Sequence, residues 1–364
     1  MKLSNHQCFL LVLSLLYFQQ IAEAQSLQVP SELAKGNADI VSPSPENAIF
    51  YNPASLHEPI TAYSLGLSYN ALGRDVEELA KKTTALKNDK QKQVEEVEKL
   101  IGKPLHISSF FGGAVVSRPH TGLGFYLQTS VDSIVRGRVL PIIDLSLVMK
   151  SGLVIPFARP LFHKQLVLGL SFKPTYKFEH IVHRDAFEIF EDSTVIKPTY
   201  SGQEGFGLGL DIGMLMVKRF VNRTLKLGGS VRNFGGLSYK RVSYLTSYGQ
   251  SAPSQDKPML AVGGSLQQHL FMGTGFDFLA HYAYLWDDGA HYHHSISHQY
   301  GLSFAFINRL LELSLGRHKN LQSYGLKVTL SFLSLYFGHY QDAWEGGGGV
   351  ARDGRHFVQV SSSW

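Results

Sequence analysis

The chain has 364 residues, of which 44% are hydrophobic and only 17% charged, with 34 Lys+Arg against 29 Asp+Glu and a net charge of +5. Charge falls below the roughly 25% of soluble domains while Tyr (17) and Phe (23) are plentiful, which excludes intrinsic disorder and collagen-like repeats. The basic residues are scattered, so no nucleic-acid partner is expected, and the single cysteine, Cys8, leaves no disulfide, thiol or Cys-based metal chemistry for a mature chain.

Residues 1–24 read as a secretory signal peptide: Lys2, an apolar stretch from Phe9 to Phe18, and Ala22-Glu23-Ala24 before Gln25. That stretch is too short to span a bilayer, and no later run is long and apolar enough for a transmembrane helix. Residues 25–60 show no clear strand and carry Ser42-Pro43-Ser44-Pro45 and Asn52-Pro53. A turn-rich stretch placed before the first strand is expected to fold back into a lumen as a hatch, because polar groups lining a lumen need partners.

Over residues 61–364 the dominant signal has period two. Tyr63, Leu65, Leu67 and Tyr69 oppose Ala62, Ser64, Gly66 and Ser68, and Leu168, Leu170 and Phe172 oppose Gly169, Ser171 and Lys173. Small and ionisable residues lie together opposite aromatic and aliphatic rows, a pattern that puts lipid outside and a polar, packed lumen inside. About fourteen strands are expected, near 61, 106, 121, 140, 165, 205, 223, 258, 274, 298, 310, 322, 333 and 356. Short turns around Pro119, Arg159-Pro160, Asn222, Phe271, Asn308 and Phe332 alternate with longer connections, among them 71–105, 181–203, 234–257, 286–297 and 342–354. The fold class is therefore all-β, a transmembrane antiparallel barrel in the outer membrane of a Gram-negative (diderm) bacterium, with outer-membrane lipid as its surroundings. Its last strand ends on Trp364, similar to the C-terminal signal read by barrel-assembly machinery. The insertion 74–103 after the first strand has helical periodicity, and two readings stand for it: a solvated cap at the barrel mouth, or a plug or docking surface for a partner helix.

The run Asn47-Ala48-Ile49-Phe50-Tyr51-Asn52-Pro53-Ala54-Ser55-Leu56 resembles the NPA hatch motif of the FadL-type long-chain fatty-acid transporter superfamily and its TraF-like and PorV-like relatives. Val231-Arg232-Asn233-Phe234-Gly235-Gly236, and the closing order of a Gly-rich loop (Gly346 to Gly349), Arg352, Arg355 and a last strand, resemble the TraF-like and PorV-like branch. The resemblance implies fourteen strands, a hatch centred on Asn52, Pro53 and Ala54, and passage of small hydrophobic molecules with a sideways exit at a strand kink. Pro174, which cannot donate a ladder hydrogen bond, is the kink candidate, and a harmless bulge in a long strand is the other reading. The alternative function is a non-transporting barrel that serves as a structural or shuttle component of secretion, conjugation or surface-attachment machinery, with a secretion-system protein as partner.

The remaining chemistry is sparse. Lumen-side Lys173, Lys177, Glu179, Asp211, Arg232, Asp277 and His281 are mixed in sign, so they are expected to pair or to contact the hatch and not to form a charge-selective pore. His291, His293 and His294, in an external loop, have the ligand type for a transition metal and are a weak candidate site. No P-loop and no nucleophile elbow is present, no cofactor is implied, and no enzyme activity is expected.

Overall fold

The computed structural model describes residues 29–38, 43, 47–56, 60–74, 95, 98–118, 121–137, 141–162, 165–185, 202–246, 251–271, 276–287, 295–318, 321–346 and 349–364. Its strands are β1 (Ile60–Asn70), β2 (Leu105–Arg118), β3 (Thr121–Arg136), β4 (Ile142–Leu161), β5 (Leu166–Asp185), β6 (Gln203–Arg219), β7 (Arg223–Arg232), β8 (Tyr239–Arg241), β9 (Met259–Phe271), β10 (Phe276–Asp287), β11 (Ser295–Phe306), β12 (Leu311–His318), β13 (Leu321–Leu330), β14 (Leu333–Gly346) and β15 (Gly349–Ser363). All but β8 pair with their neighbours in an antiparallel ring of fourteen strands, and β8 is a short addition to β6. The ring closes where β1 meets β15, with Leu65 opposite Val360. There Thr61 and Trp364 exchange both backbone hydrogen bonds at 3.0 Å.

The period-two reading translates directly into sidedness. Along β1, Ser64, Gly66 and Ser68 are buried while Leu65 is 57% exposed; on β6 Leu208 is 64% exposed. An unbroken wall of exposed Leu, Phe and Tyr around a closed ring is far larger than any patch a protein tolerates in water, and it fits hydrocarbon. Among the described residues no helix is long and apolar enough to cross a membrane.

Two predicted boundaries are corrected. The turn expected at Arg159-Pro160 lies later: β4 runs through both residues to Leu161, and Phe162, with φ of 43°, begins the turn. Proline can sit there because it is close to the strand end, where one missing donor costs little. The long connection expected over 342–354 is instead strand, since β14 reaches Gly346 and β15 starts at Gly349, with Asp342 opposite Asp353 in register. Polar residues misled the reading, because strands that continue beyond a bilayer need no apolar face there. Of the 74–103 insertion most lies outside the described residues; a helical turn, Ala71–Arg74, leads into it, and Ile101 bridges to Val135 near its end.

Candidate functional site

The described N-terminal residues lie inside the ring. Val29, Ser31, Glu32, Asn47, Asn52 and Ala54 are 0% exposed, and their partners are inward-facing residues of strands far away in sequence. The Ser31 amide donates to Gln359 Oε1 at 2.9 Å, and Gln359 in turn donates to Ser64 Oγ at 2.6 Å. Ser323 Oγ donates to the Ala34 carbonyl at 3.2 Å, and Lys35 lies 3.6 Å from Glu312. Strand glycines provide the room: a Cβ on Gly66 would sit 2.9 Å from Pro30, and one on Gly325 2.8 Å from the Ala34 Cβ. The small face of the barrel is thus small because chain packs against it.

Each residue of the Asn52-Pro53-Ala54 motif has a separate task. Asn52 Oδ1 accepts from the Ala54 amide at 2.9 Å and so caps the 3-10 turn Pro53–Ser55, while its Nδ2 donates to the Met214 carbonyl of β6 at 3.3 Å. Proline at the first position of that turn loses no bond, since its amide would be an orphan there. Ala54 is small enough to lie on Gly169, where a Cβ would strike the 53–54 backbone. Just before the motif, the helical turn Ala48–Tyr51 drives Ile49, Phe50 and Tyr51 into an apolar cluster with Phe110, Val116, Tyr126 and Val154 of β2, β3 and β4. Phe50 meets Phe110 and Tyr126 edge-on at 5.7 and 6.3 Å. Each of these side chains contributes about 2 kcal/mol of transfer free energy.

The wall behind this cluster is interrupted on both sides of β4. Pairing with β5 stops at Gly152 opposite Thr175 and resumes at Ile155 opposite Phe172, skipping Lys173-Pro174. Pairing with β3 skips Ile155-Pro156, opposite Gly122-Leu123, without a change of register. Both gaps have the same cause, a proline without an N–H in mid-strand. Pro174 keeps its place on the β6 side, opposite Leu208. Pro156 was missed in sequence, although a proline inside an otherwise regular strand was a readable signal.

The lumen charges do not form one network. Lys173 lies 2.7 Å from Asp211 and donates to Asn233 Oδ1 at 3.0 Å, while the Asn233 amide donates to Asp211 at 2.8 Å, fixing a turn with positive φ at Asn233, Gly235 and Gly236. Lys177 lies 3.5 Å from Glu179, and both hold Ser254. Arg232 stacks over the Tyr51 ring at 5.4 Å, joining β7 to the N-terminal segment. Asp277 is held by His269 and Arg309 near the strand ends, remote from the others in the ladder, and His281 is buried on the inner face of β10. His291, His293 and His294 lie outside the described residues, and among the described residues no group of three or more possible ligands gathers for a metal.

Sequence reasoning also missed a second inward-folding segment. Of the described residues between β7 and β9, Leu237, Tyr239, Thr246 and Asp256 are buried: Lys150 lies 2.8 Å from Asp256, Lys177 3.4 Å from it, and Tyr239 donates to it at 2.8 Å. Burial alone would push the Asp256 carboxyl up, but the Lys150 and Lys177 ammonium groups outweigh it and hold it below the usual carboxylate range. Further round, Ser68 Oγ lies 3.0 Å from His106 Nε2 and His106 Nδ1 2.7 Å from Asp132 Oδ1, the order of a hydrolase triad. Ser108 and Tyr340 oxygens at 2.8 and 3.0 Å complete the surroundings of Ser68 Oγ, and Ser68 is 1% exposed. These residues tie β1, β2, β3 and β14 together, and the serine oxygen is enclosed.

No family model and no curated protein matches the chain. Solved structures do. The Pseudomonas putida toluene transporter TodX superposes with a TM-score of 0.51 at 10% identity, over 91% of this chain and 96% of that one. A Pseudomonas aeruginosa FadL homologue gives a TM-score of 0.38 at 10% identity, over 94% and 98%. The closed antiparallel barrel is the fold this chain shares with TodX. At this identity the likeness concerns the fold alone.

Proposed function

We propose that the chain is an outer-membrane barrel of a Gram-negative bacterium that passes small hydrophobic molecules across that membrane, with residues 25–60 as hatch and the β4 wall around Pro174 as lateral exit. The signal peptide 1–24, insertion through barrel-assembly machinery by the strand ending at Trp364, and membership of the TraF-like or PorV-like branch belong to the same reading. The observation that carries it is the pair of ladder gaps at Pro156 and Pro174, directly behind the apolar cluster of Ile49, Phe50 and Val154. An apolar solute leaving the lumen there moves between two apolar surroundings and crosses a wall already short of backbone hydrogen bonds. The fold likeness to a toluene transporter agrees with this. A structural or shuttle role would need a partner surface, and most of the 74–103 insertion named for that purpose lies outside the described residues.

The test is uptake of a monoaromatic hydrocarbon and of a long-chain fatty acid into cells producing the barrel, with Pro174→Ala beside the wild type. Restoring the amide lets the ladder close, and uptake should fall several-fold while the heat-modifiable gel shift of the folded barrel is kept. Uptake by the wild type no faster than by cells lacking it would remove the transport reading.

A further inference from the structure

The strand between the two ladder gaps is bridged over on the inner face. Tyr126 of β3 and Thr175 of β5 both stand opposite Gly152 of β4, the last position paired on both sides before the β5 gap. The tyrosine side chain passes over that glycine and brings its Oη to 2.8 Å from Thr175 Oγ1. A Cβ on Gly152 would lie 3.0 Å from the Tyr126 oxygen and 2.6 Å from the Pro174 carbonyl, so glycine is what leaves the path open. Thr175 Oγ1 donates to the Lys173 carbonyl at 3.2 Å, and the tyrosine hydroxyl therefore donates to Thr175. This chain of two bonds runs from β3 across β4 to the backbone of the gap itself.

A buried hydroxyl needs a partner wherever it lies, and Tyr126 and Thr175 are 7% and 1% exposed. What distinguishes this pair is its place. Neighbouring strands are about 4.8 Å apart, so a bond from β3 to β5 spans roughly 10 Å of wall. It ties together the two strands that flank β4, which is loose from β5 at 153–154 and from β3 at 155–156. On the outer face Leu123, Leu153, Phe157 and Phe172 stand exposed around the gaps. On the inner face the Tyr126 ring meets Phe50 edge-on at 6.3 Å, so the N-terminal segment leans on the same side chain.

We infer that the Tyr126–Thr175 pair is a latch on the inner side of the β4 exit, which limits how far β3 and β5 part and so selects solutes by breadth. Each gap is two residues long, roughly 7 Å along the strands. A narrow apolar solute passes by displacing β4 alone, whereas a broader one needs β3 and β5 to separate. Separation breaks the latch and leaves two hydroxyls against an apolar solute with no partner, a cost that narrow solutes escape. The inference rests on the transport reading of the β4 wall and adds to it a positioning pair and a size limit.

The test compares uptake of a one-ring and a two-ring aromatic hydrocarbon by cells producing the full-length barrel. Hydrogen exchange at the amides of residues 153–155 is followed in the purified barrel alongside it. Tyr126→Phe keeps the ring against Phe50 and removes the bond; the ratio of two-ring to one-ring uptake should rise about fivefold, and exchange should quicken by a similar factor. Thr175→Val should do the same, and the double variant should do no more than either single one. Thr175→Ser, which keeps the hydroxyl, should keep the wild-type ratio. All variants are compared as barrels that retain the heat-modifiable shift, and Thr175→Val alone decides the matter where Tyr126→Phe does not fold. A transporting wild type whose Thr175→Val variant shows the same ratio, faster uptake of both solutes by one common factor, or unchanged exchange at 153–155 would each overturn the latch while leaving transport in place. Uptake of neither solute by the wild type would overturn the transport reading and the size limit with it.

Discussion

Asp211 is 2% exposed and bonded to both Lys173 and the Asn233 amide, so its removal takes the carboxylate from a partly buried ammonium and the acceptor from an N–H at once. Breaking one partner of such a pair costs about 3 kcal/mol. Asp211→Ala is therefore expected to lower the temperature at which the barrel loses its heat-modifiable shift in detergent, and an unchanged transition would show that the turn at 233–236 holds without it. Gly213 sits on the same strand two residues on, and a Cβ there would overlap the Asn52 side-chain oxygen. Gly213→Val is expected to displace the 52–54 turn from the wall, at about 1–3 kcal/mol, and to expose residues near 52 to added protease while the β-ring stays folded. Resistance equal to the wild type would contradict the tight contact. At this scale the sequence was readable in part: glycines alternating with leucines marked an inner face, but not that Gly213 and Gly169 are shaped to the Asn52-Pro53-Ala54 turn.

Among the elements, the connection between β7 and β9 is held by charge at Asp256. Asp256 has its carboxyl kept below the ordinary value near 3.8 by Lys150 and Lys177. A carboxylate whose folded pKa is depressed contributes stability that is complete above the unfolded pKa and fades as pH falls through the folded one. The segment is thus expected to stay docked from neutrality down to about pH 4 and to loosen below it, read as cleavage by an acid-active protease. Asp256→Asn, which removes the charge at every pH, should loosen it at neutrality and flatten the acid transition; a variant with the wild-type profile would assign the acid transition elsewhere. This docking was not legible because polar loops read alike whether they face water or a lumen. The β4 gaps, by contrast, were half legible: Pro174 was visible as a missing donor, while its pairing with the Pro156 gap required the register of three strands.

For the molecule as a whole, alternating hydrophobicity and the spacing of turns were enough to derive an all-β ring of fourteen strands with apolar side chains outward, because strand period and sidedness are local properties of the backbone. Turn positions slipped only where proline or polar residues continue a strand past the apolar band. The tertiary structure alone decided what packs inside the ring: the described residues of 29–38 and 47–56 from one part of the chain and the neighbourhood of Tyr239 and Asp256 from another, each bonded to strands distant in sequence, as in Ser31 with Gln359 and Lys150 with Asp256. It also decided which charges pair, separating Asp277 with Arg309 from Lys173 with Asp211. The reason is physical: inward-facing positions have partners chosen by ring closure across the lumen, and neither composition nor periodicity carries information about distance across a barrel.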